Sequence, residues 1–195
     1  MNSKAKFNAR PINHSPMSWV QHERDGKVMT IAFARADSAP AHPLDLVEQI
    51  VSEQDWPIQR HGADELTTVV GGSSDEYHLW FSWREDLGAL QFSCAFGMRL
   101  PPPRLPALHS LLALLNAKVP IGHFDVWHDD GVICFRYALL VRGGSGISSS
   151  QIEDLIEIGI GECERSYPAF QFVVWGGKSP EESIAAALME TVGEA

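Results

Sequence analysis

The sequence predicts an α+β fold, an antiparallel sheet packed against helices, and three observations carry that expectation. Segments of strand character follow one another closely, with only turn clusters between them, so neighbours in sequence pair antiparallel. Helical patterns flank those strands instead of alternating with them. The chain of 195 residues, 45% hydrophobic and 21% charged, has the size and composition of one well-cored domain with an extra segment.

The first regular element opens at HPLDLVEQIVSEQDW. Pro43 suits a first helical turn, Leu44, Val47, Ile50 and Val51 recur at helical spacing, and Trp56-Pro57 ends the run. ELTTVV, residues 65–70, is β-branched and stops at Gly71-Gly72-Ser73-Ser74-Asp75, a turn cluster. YHLWFSWRE alternates, with Tyr77, Leu79, Phe81 and Trp83 on one side and His78, Trp80, Ser82 and Arg84 on the other. After Asp86-Leu87-Gly88, the run LQFSCAFG puts Leu90, Phe92, Cys94 and Phe96 on a single face. LPPPRLP, with its Pro103 and Pro106 spacing, reads as a rigid strand-to-helix connection.

ALHSLLALLNAKV is apolar over most of its circumference. Leu108, Leu111, Leu112 and Leu115 mark it as a helix central to the core or shared with a second subunit. Beyond Pro120, two strands meet at Asp129-Asp130-Gly131, a hairpin signal. The linker RGGSGISSS leads into a third helix, which is expected to start at a Ser150 cap with Glu153 closing a capping box. YPAFQFVVW reads as strand by propensity alone. Phe170, Val173 and Val174 nevertheless continue the helical spacing of Cys163, Ser166 and Tyr167, so a helix kinked at Pro168 is expected.

Charge divides the chain. Residues 1–36 form a basic arm of net +4, and residues 37–195 form an acidic body of net −14. A body of that sign repels a phosphate backbone, so no nucleic-acid partner is expected. The arm holds one strand-like stretch, VMTIAFA, and reads as partly flexible. No apolar run reaches the roughly 18 residues that span a bilayer, and the first residues lack the apolar core of a secretory signal. No membrane association and a cytoplasmic location are therefore expected. Cys94, Cys134 and Cys163, with no CxxC spacing, read as buried free thiols.

Gly177-Lys178-Ser179 invites a nucleotide reading. A phosphate loop needs G-x-x-x-x-G-K-[ST], because the first glycine lets backbone amides curl around the phosphates. Phe172 stands where that glycine belongs. Gly176-Gly177 instead stops one helix, while Ser179, Pro180 and Glu182 start the next. The Gly143-Gly144-Ser145-Gly146 linker lacks the G-x-G-x-x-G spacing as well. His123, Asp125, His128, Asp129 and Asp130 look like metal ligands, but alternation sets His128 on the face opposite His123 and Asp125. No catalytic, cofactor-binding or metal-ligating residue is assigned.

If Leu79, Phe81, Phe92, Cys94, Phe135 and Tyr137 face the helices, the other side carries His78, Trp80, Asp125, Trp127, Cys134 and Arg136. Tryptophans on a sheet face with Arg and Asp beside them have the make-up of a protein-contact surface. The same face is alternatively one that the arm or the helical extension covers.

DELTTVVGGSSDEYHLWFSWREDLGALQFSCAFGMRLP, the hairpin and YPAFQFVVWGGKSPEESIAAALMET together resemble the YbjN-like proteins of bacteria, named as sensory-transduction regulators. The similarity runs from about Pro43 to Ala195. It implies a fold like that of type III secretion chaperones: a helix, three strands, a helix, two strands and a long helix, as a homodimer. It implies no catalytic residues. The expected function is a non-enzymatic regulator or adaptor that binds a segment of another protein in a chaperone-like way. The alternative is a nucleotide- or anion-sensing protein or an enzyme using the Gly-rich linker or Gly-Lys-Ser.

Overall fold

The computed structural model describes residues 42–127, 129–141 and 146–193. The expected arm over 1–36, with VMTIAFA, lies outside the described residues, as do His128 and Gly143, Gly144 and Ser145 of the linker. The elements are α1 (Pro43–Glu53), β1 (Ile58–His61), β2 (Glu65–Gly71), β3 (Glu76–Arg84), β4 (Ala89–Arg99), a 3-10 turn (Pro102–Arg104), α2 (Leu105–Asn116), β5 (His123–Trp127), β6 (Val132–Leu140), α3 (Ser149–Val174) and α4 (Pro180–Gly193). The strands form one antiparallel sheet in the order β1-β2-β3-β4-β6-β5, and the fold is α+β.

One strand was not foreseen. Ile58-Gln59-Arg60-His61 is short, polar and placed straight after Pro57, so no apolar alternation announces it. It pairs with β2 at the sheet edge, where a strand with polar side chains is at home.

The inner face of the sheet and the helices share one core. Leu79, Phe81, Phe92, Phe96 and Phe135 pack in the same cluster as Val47 and Val51 of α1, Leu108 and Leu111 of α2, and Phe170 and Val173 of α3. Tyr137, expected on this face, is half-buried and packs against the same cluster. Leu112 is 8% exposed and Leu115 packs at the cluster's margin, so the leucine helix α2 is part of the core.

α3 runs unbroken from Ser149 to Val174 with Pro168 inside it. An internal proline costs about 3 kcal/mol through a lost hydrogen bond and a ring clash. Burying Phe170 and Val173 just beyond it returns roughly 1.5–3 kcal/mol each, so the helix continues. Its start corrects the expected cap. Ser148 takes that place, its Oγ accepting from the Gln151 amide at 3.3 Å while Gln151 Oε1 accepts from the Ser148 amide at 3.0 Å. Glutamine closes a capping box as glutamate does, so the helix begins two residues earlier than Ser150 and Glu153 suggested. The expected start of α4 holds: Ser179 Oγ accepts from Glu182 N at 3.3 Å, and Glu182 Oε2 accepts from Ser179 N at 3.0 Å.

Two carboxylates organise the turn between β2 and β3. Glu164 of α3 accepts from the Ser73 amide at 2.7 Å and the Ser73 hydroxyl at 2.6 Å. Asp75 accepts from the amides of Glu76 at 2.8 Å and Gly97 at 3.0 Å, the latter where the β4–β6 register shifts. Helix, turn and bulge are thereby joined.

Gly159 marks the closest approach of α3 to the sheet, since a Cβ there would strike the Phe92 ring. Gly159→Ala is expected to lower stability by about 1–3 kcal/mol through overpacking, read as a shift in urea midpoint without a change in slope. Burial alone would raise the Glu164 carboxyl, but the Ser73 and Ser74 bonds outweigh it and hold the group below the usual carboxylate range. A depressed native pKa gives stability that is present above the unfolded value, near pH 4.3, and lost as pH falls through the native value. Glu164→Gln is therefore expected to cost about 1 kcal/mol at pH 7, a modest figure because the turn is exposed and screened. The gap between wild type and variant should close as the pH of the urea titrations falls below about 4.

Candidate functional site

Strand register assembles the outer face row by row. His78, Ala95, Cys134 and Asp125 lie side by side across β3, β4, β6 and β5. Trp80, Ser93, Arg136 and His123 form the next row, and Trp127 stands opposite Val132 on the other flank. Residues directly opposed in an antiparallel pair share a face, so all of these project from one side. The five residues expected there, His78, Trp80, Asp125, Trp127 and Arg136, thus come together, and each is half-buried.

The small side chains in the middle determine the shape. Ala95 and Cys134 are 2% and 0% exposed and, with Val132, form a cluster separate from the main core, against which Trp127 packs. No helix residue among those described belongs to it. Because Ala95 and Cys134 are short, the Trp80 and Trp127 rings meet above their row, centroids 6.1 Å apart and nearly perpendicular at 87°. Such an edge-to-face pair is a favoured aromatic geometry. His61 of β1 lies against the other side of Trp80, 6.5 Å away and tilted by 25°. No residue pattern pointed to His61, because the strand that carries it has no apolar alternation.

At the rim, Arg136 Nη1 bonds Asp125 Oδ2 at 2.9 Å, with Asp125 Oδ1 accepting from the Val126 amide at 2.8 Å. Asp125 is thus occupied by an ion pair. Asp129 and Asp130 sit exposed in the β5–β6 turn. Among the described residues no three His, Cys, Asp or Glu side chains gather as a metal site would require.

The three thiols are all buried. Burial pushes the Cys134 and Cys163 thiols far up, so neither is a thiolate near neutral pH. The Gly-Lys-Ser stretch is equally committed. Gly177 takes φ +64° with the Arg104 guanidinium beside it, Lys178 Nζ lies 3.8 Å from the centre of the Phe172 ring, and Ser179 caps α4. No described helix is long and apolar enough to cross a membrane.

Among the described residues the fold and site define an α+β protein with helices on one sheet face and a pair of tryptophans beside an Asp–Arg ion pair on the other. The chain belongs to the YbjN family, whose description is "Putative bacterial sensory transduction regulator" and whose model matches residues 43–172. The crystal structure of YbjN from E. coli, described as a putative transcription regulator, is similar with a TM-score of 0.43 and 15% identity. That likeness covers 64% of this chain and 94% of the E. coli chain. No curated protein matches the sequence.

Thiol chemistry reads the floor of the site. With Cys134 fully buried in the cluster that Trp127 packs against, an aromatic disulfide reagent at pH 8 should find no thiol reacting within minutes in the native chain. All three should react after denaturation. Fast native labelling of Cys134 would show that the floor opens.

Proposed function

We propose that this protein is a non-enzymatic regulator that acts by holding a segment of another protein on the outer face of its sheet. The observation that carries the reading is the Trp80–Trp127 pair set over the buried Ala95–Cys134 floor, with the Asp125–Arg136 ion pair beside it. Large aromatic rings around a dry centre with charged groups at the margin are the make-up of an interaction hot spot.

Several polar groups that a reaction could draw on have structural employment among the described residues. Glu164 holds the β2–β3 turn, Glu182 caps α4, Arg60 bridges Asp45 and Glu48, and Asp125 pairs with Arg136. This supports binding over catalysis. The proposal includes a homodimer in the cytoplasm, with chaperone-like capture of its client; the acidic body favours clients with basic segments.

Capture of a bacterial client by the immobilised chain, compared with Trp80→Ala plus Trp127→Ala, tests the reading. Losing two hot-spot aromatics is expected to weaken capture at least roughly tenfold, with the circular-dichroism spectrum retained. Unchanged capture would overturn it. Thermal shifts with ATP, GTP and Mg²⁺ are expected to be flat; stabilisation of several degrees by a nucleotide would favour a sensing role instead.

A further inference from the structure

The two edges of the sheet differ in character. Among the described residues, β1 at one end and β5 at the other each have a strand neighbour on one side only. The four residues of β1, Ile58-Gln59-Arg60-His61, are mostly polar, which makes a poor template for another strand. β5 is the opposite case. Phe124 and Val126 are 2% and 4% exposed within the main core cluster, and Trp127 packs on the outer face. An apolar edge strand of that kind is a ready template for pairing with another chain.

One side chain occupies that edge. Along an antiparallel strand, residues alternate between aiming both backbone groups at the neighbour and aiming both away. Phe124 aims away from β6, and both its groups are taken by Asn116, the last residue of α2. Asn116 Nδ2 donates to Phe124 O at 3.0 Å, and its Oδ1 accepts from Phe124 N at 2.7 Å. The side-chain amide thus stands where the peptide group of a further strand would stand. Val126, the next residue aimed outward, has its N–H on Asp125 Oδ1 at 2.8 Å. The return from α2 to β5 is tight. Gly122 turns it at φ +74°, where a Cβ would strike the Phe135 ring and the Arg136 carbonyl.

We propose that Asn116 is a latch that closes the β5 edge against a second copy of this chain. β5 is its own complement. About a two-fold axis at Asp125, Phe124 of each copy falls opposite Val126 of the other, and both residues aim their backbone groups across the seam. The bonds from each Phe124 amide to the facing Val126 carbonyl need only Asn116 to leave. The bonds from each Val126 amide to the facing Phe124 carbonyl also need Asp125 Oδ1 to let go. The opposed Asp125 side chains do not forbid the pairing, because each carries its own Arg136 at 2.9 Å. The latch stands on hydrogen bonds separate from the Trp80–Trp127 pair, so failure of either reading leaves the other intact.

The test compares the full chain with Asn116→Ala and Asn116→Asp by sedimentation velocity over a concentration series. Whatever assembly the wild type forms, Asn116→Ala is expected to double it reversibly, with self-association at least about tenfold tighter. Asn116→Asp is expected to fall between the two, since it keeps an acceptor for the Phe124 amide and loses the donor to the Phe124 carbonyl. Hydrogen exchange locates the contact: the Phe124 amide of Asn116→Ala should be protected in concentrated solution and unprotected in dilute solution. Unchanged mass in cooperatively unfolding variants would overturn the proposal. So would doubling without concentration-dependent protection at Phe124. Should Asn116→Ala lose cooperative unfolding, Asn116→Asp against the wild type decides by the same two measurements.

Discussion

The seating of α3 on the inner face of the sheet is the constraint on which the rest depends. Gly159 brings the helix down onto Phe92, and Phe170 lies between Phe96 and Phe124 at centroid distances of 5.1 and 5.2 Å. These two positions, eleven residues apart, span about three turns of helix and hold its axis across the central strands. Pro168 sits between them, and the helix persists because both flanks are locked. Glu164, also between them, reaches outward to the β2–β3 turn, so the order of that turn is inherited from the same seating.

With the helical layer committed to one face, strand alternation determines what the other face can be. Each large inner residue on β3, β4 and β6 is next to an outer one, and at the centre those outer residues are short: Ser93, Ala95 and Cys134. Large side chains there would have held Trp80 and Trp127 apart. The short ones leave room for the two indoles to meet edge to face, and Trp127 packs against the second apolar cluster that Ala95, Val132 and Cys134 form. The make-up of the outer face is thus a consequence of periodicity and side-chain volume combined.

Much of this was legible in the residues. Period-two alternation in YHLWFSWRE, LQFSCAFG and the hairpin assigns each side chain to its face, and that is why all five outer-face residues were placed correctly. Cap chemistry read well at Ser179-Pro180-Glu181-Glu182, where one arrangement accounts for every residue. It read poorly at Ser148-Ser149-Ser150, where three identical candidates stand in a row and Gln151 and Glu153 each complete a box. β1 escaped because an edge strand needs no apolar alternation, and His61 escaped with it. The link from Glu164 to Ser73 crosses 91 positions of sequence, and no local pattern encodes it. The α2 leucines signalled burial without saying against what, because a helix apolar on most sides fits a core and an interface equally.

That ambiguity in α2 has a physical content. A helix with apolar groups over most of its surface needs partners on several sides, and the sheet with α3 supplies only some of them. Leu108 and Leu111 are fully buried, while Leu114 and Leu115 remain half-buried at the margin. α4 supplies a further partner: Ser183 and Ala187 are buried, and Ile184 packs against the same core cluster as Leu108 and Leu111. The apolar circumference of α2 is thus satisfied from more than one side, which a helix apolar on one stripe alone would not need.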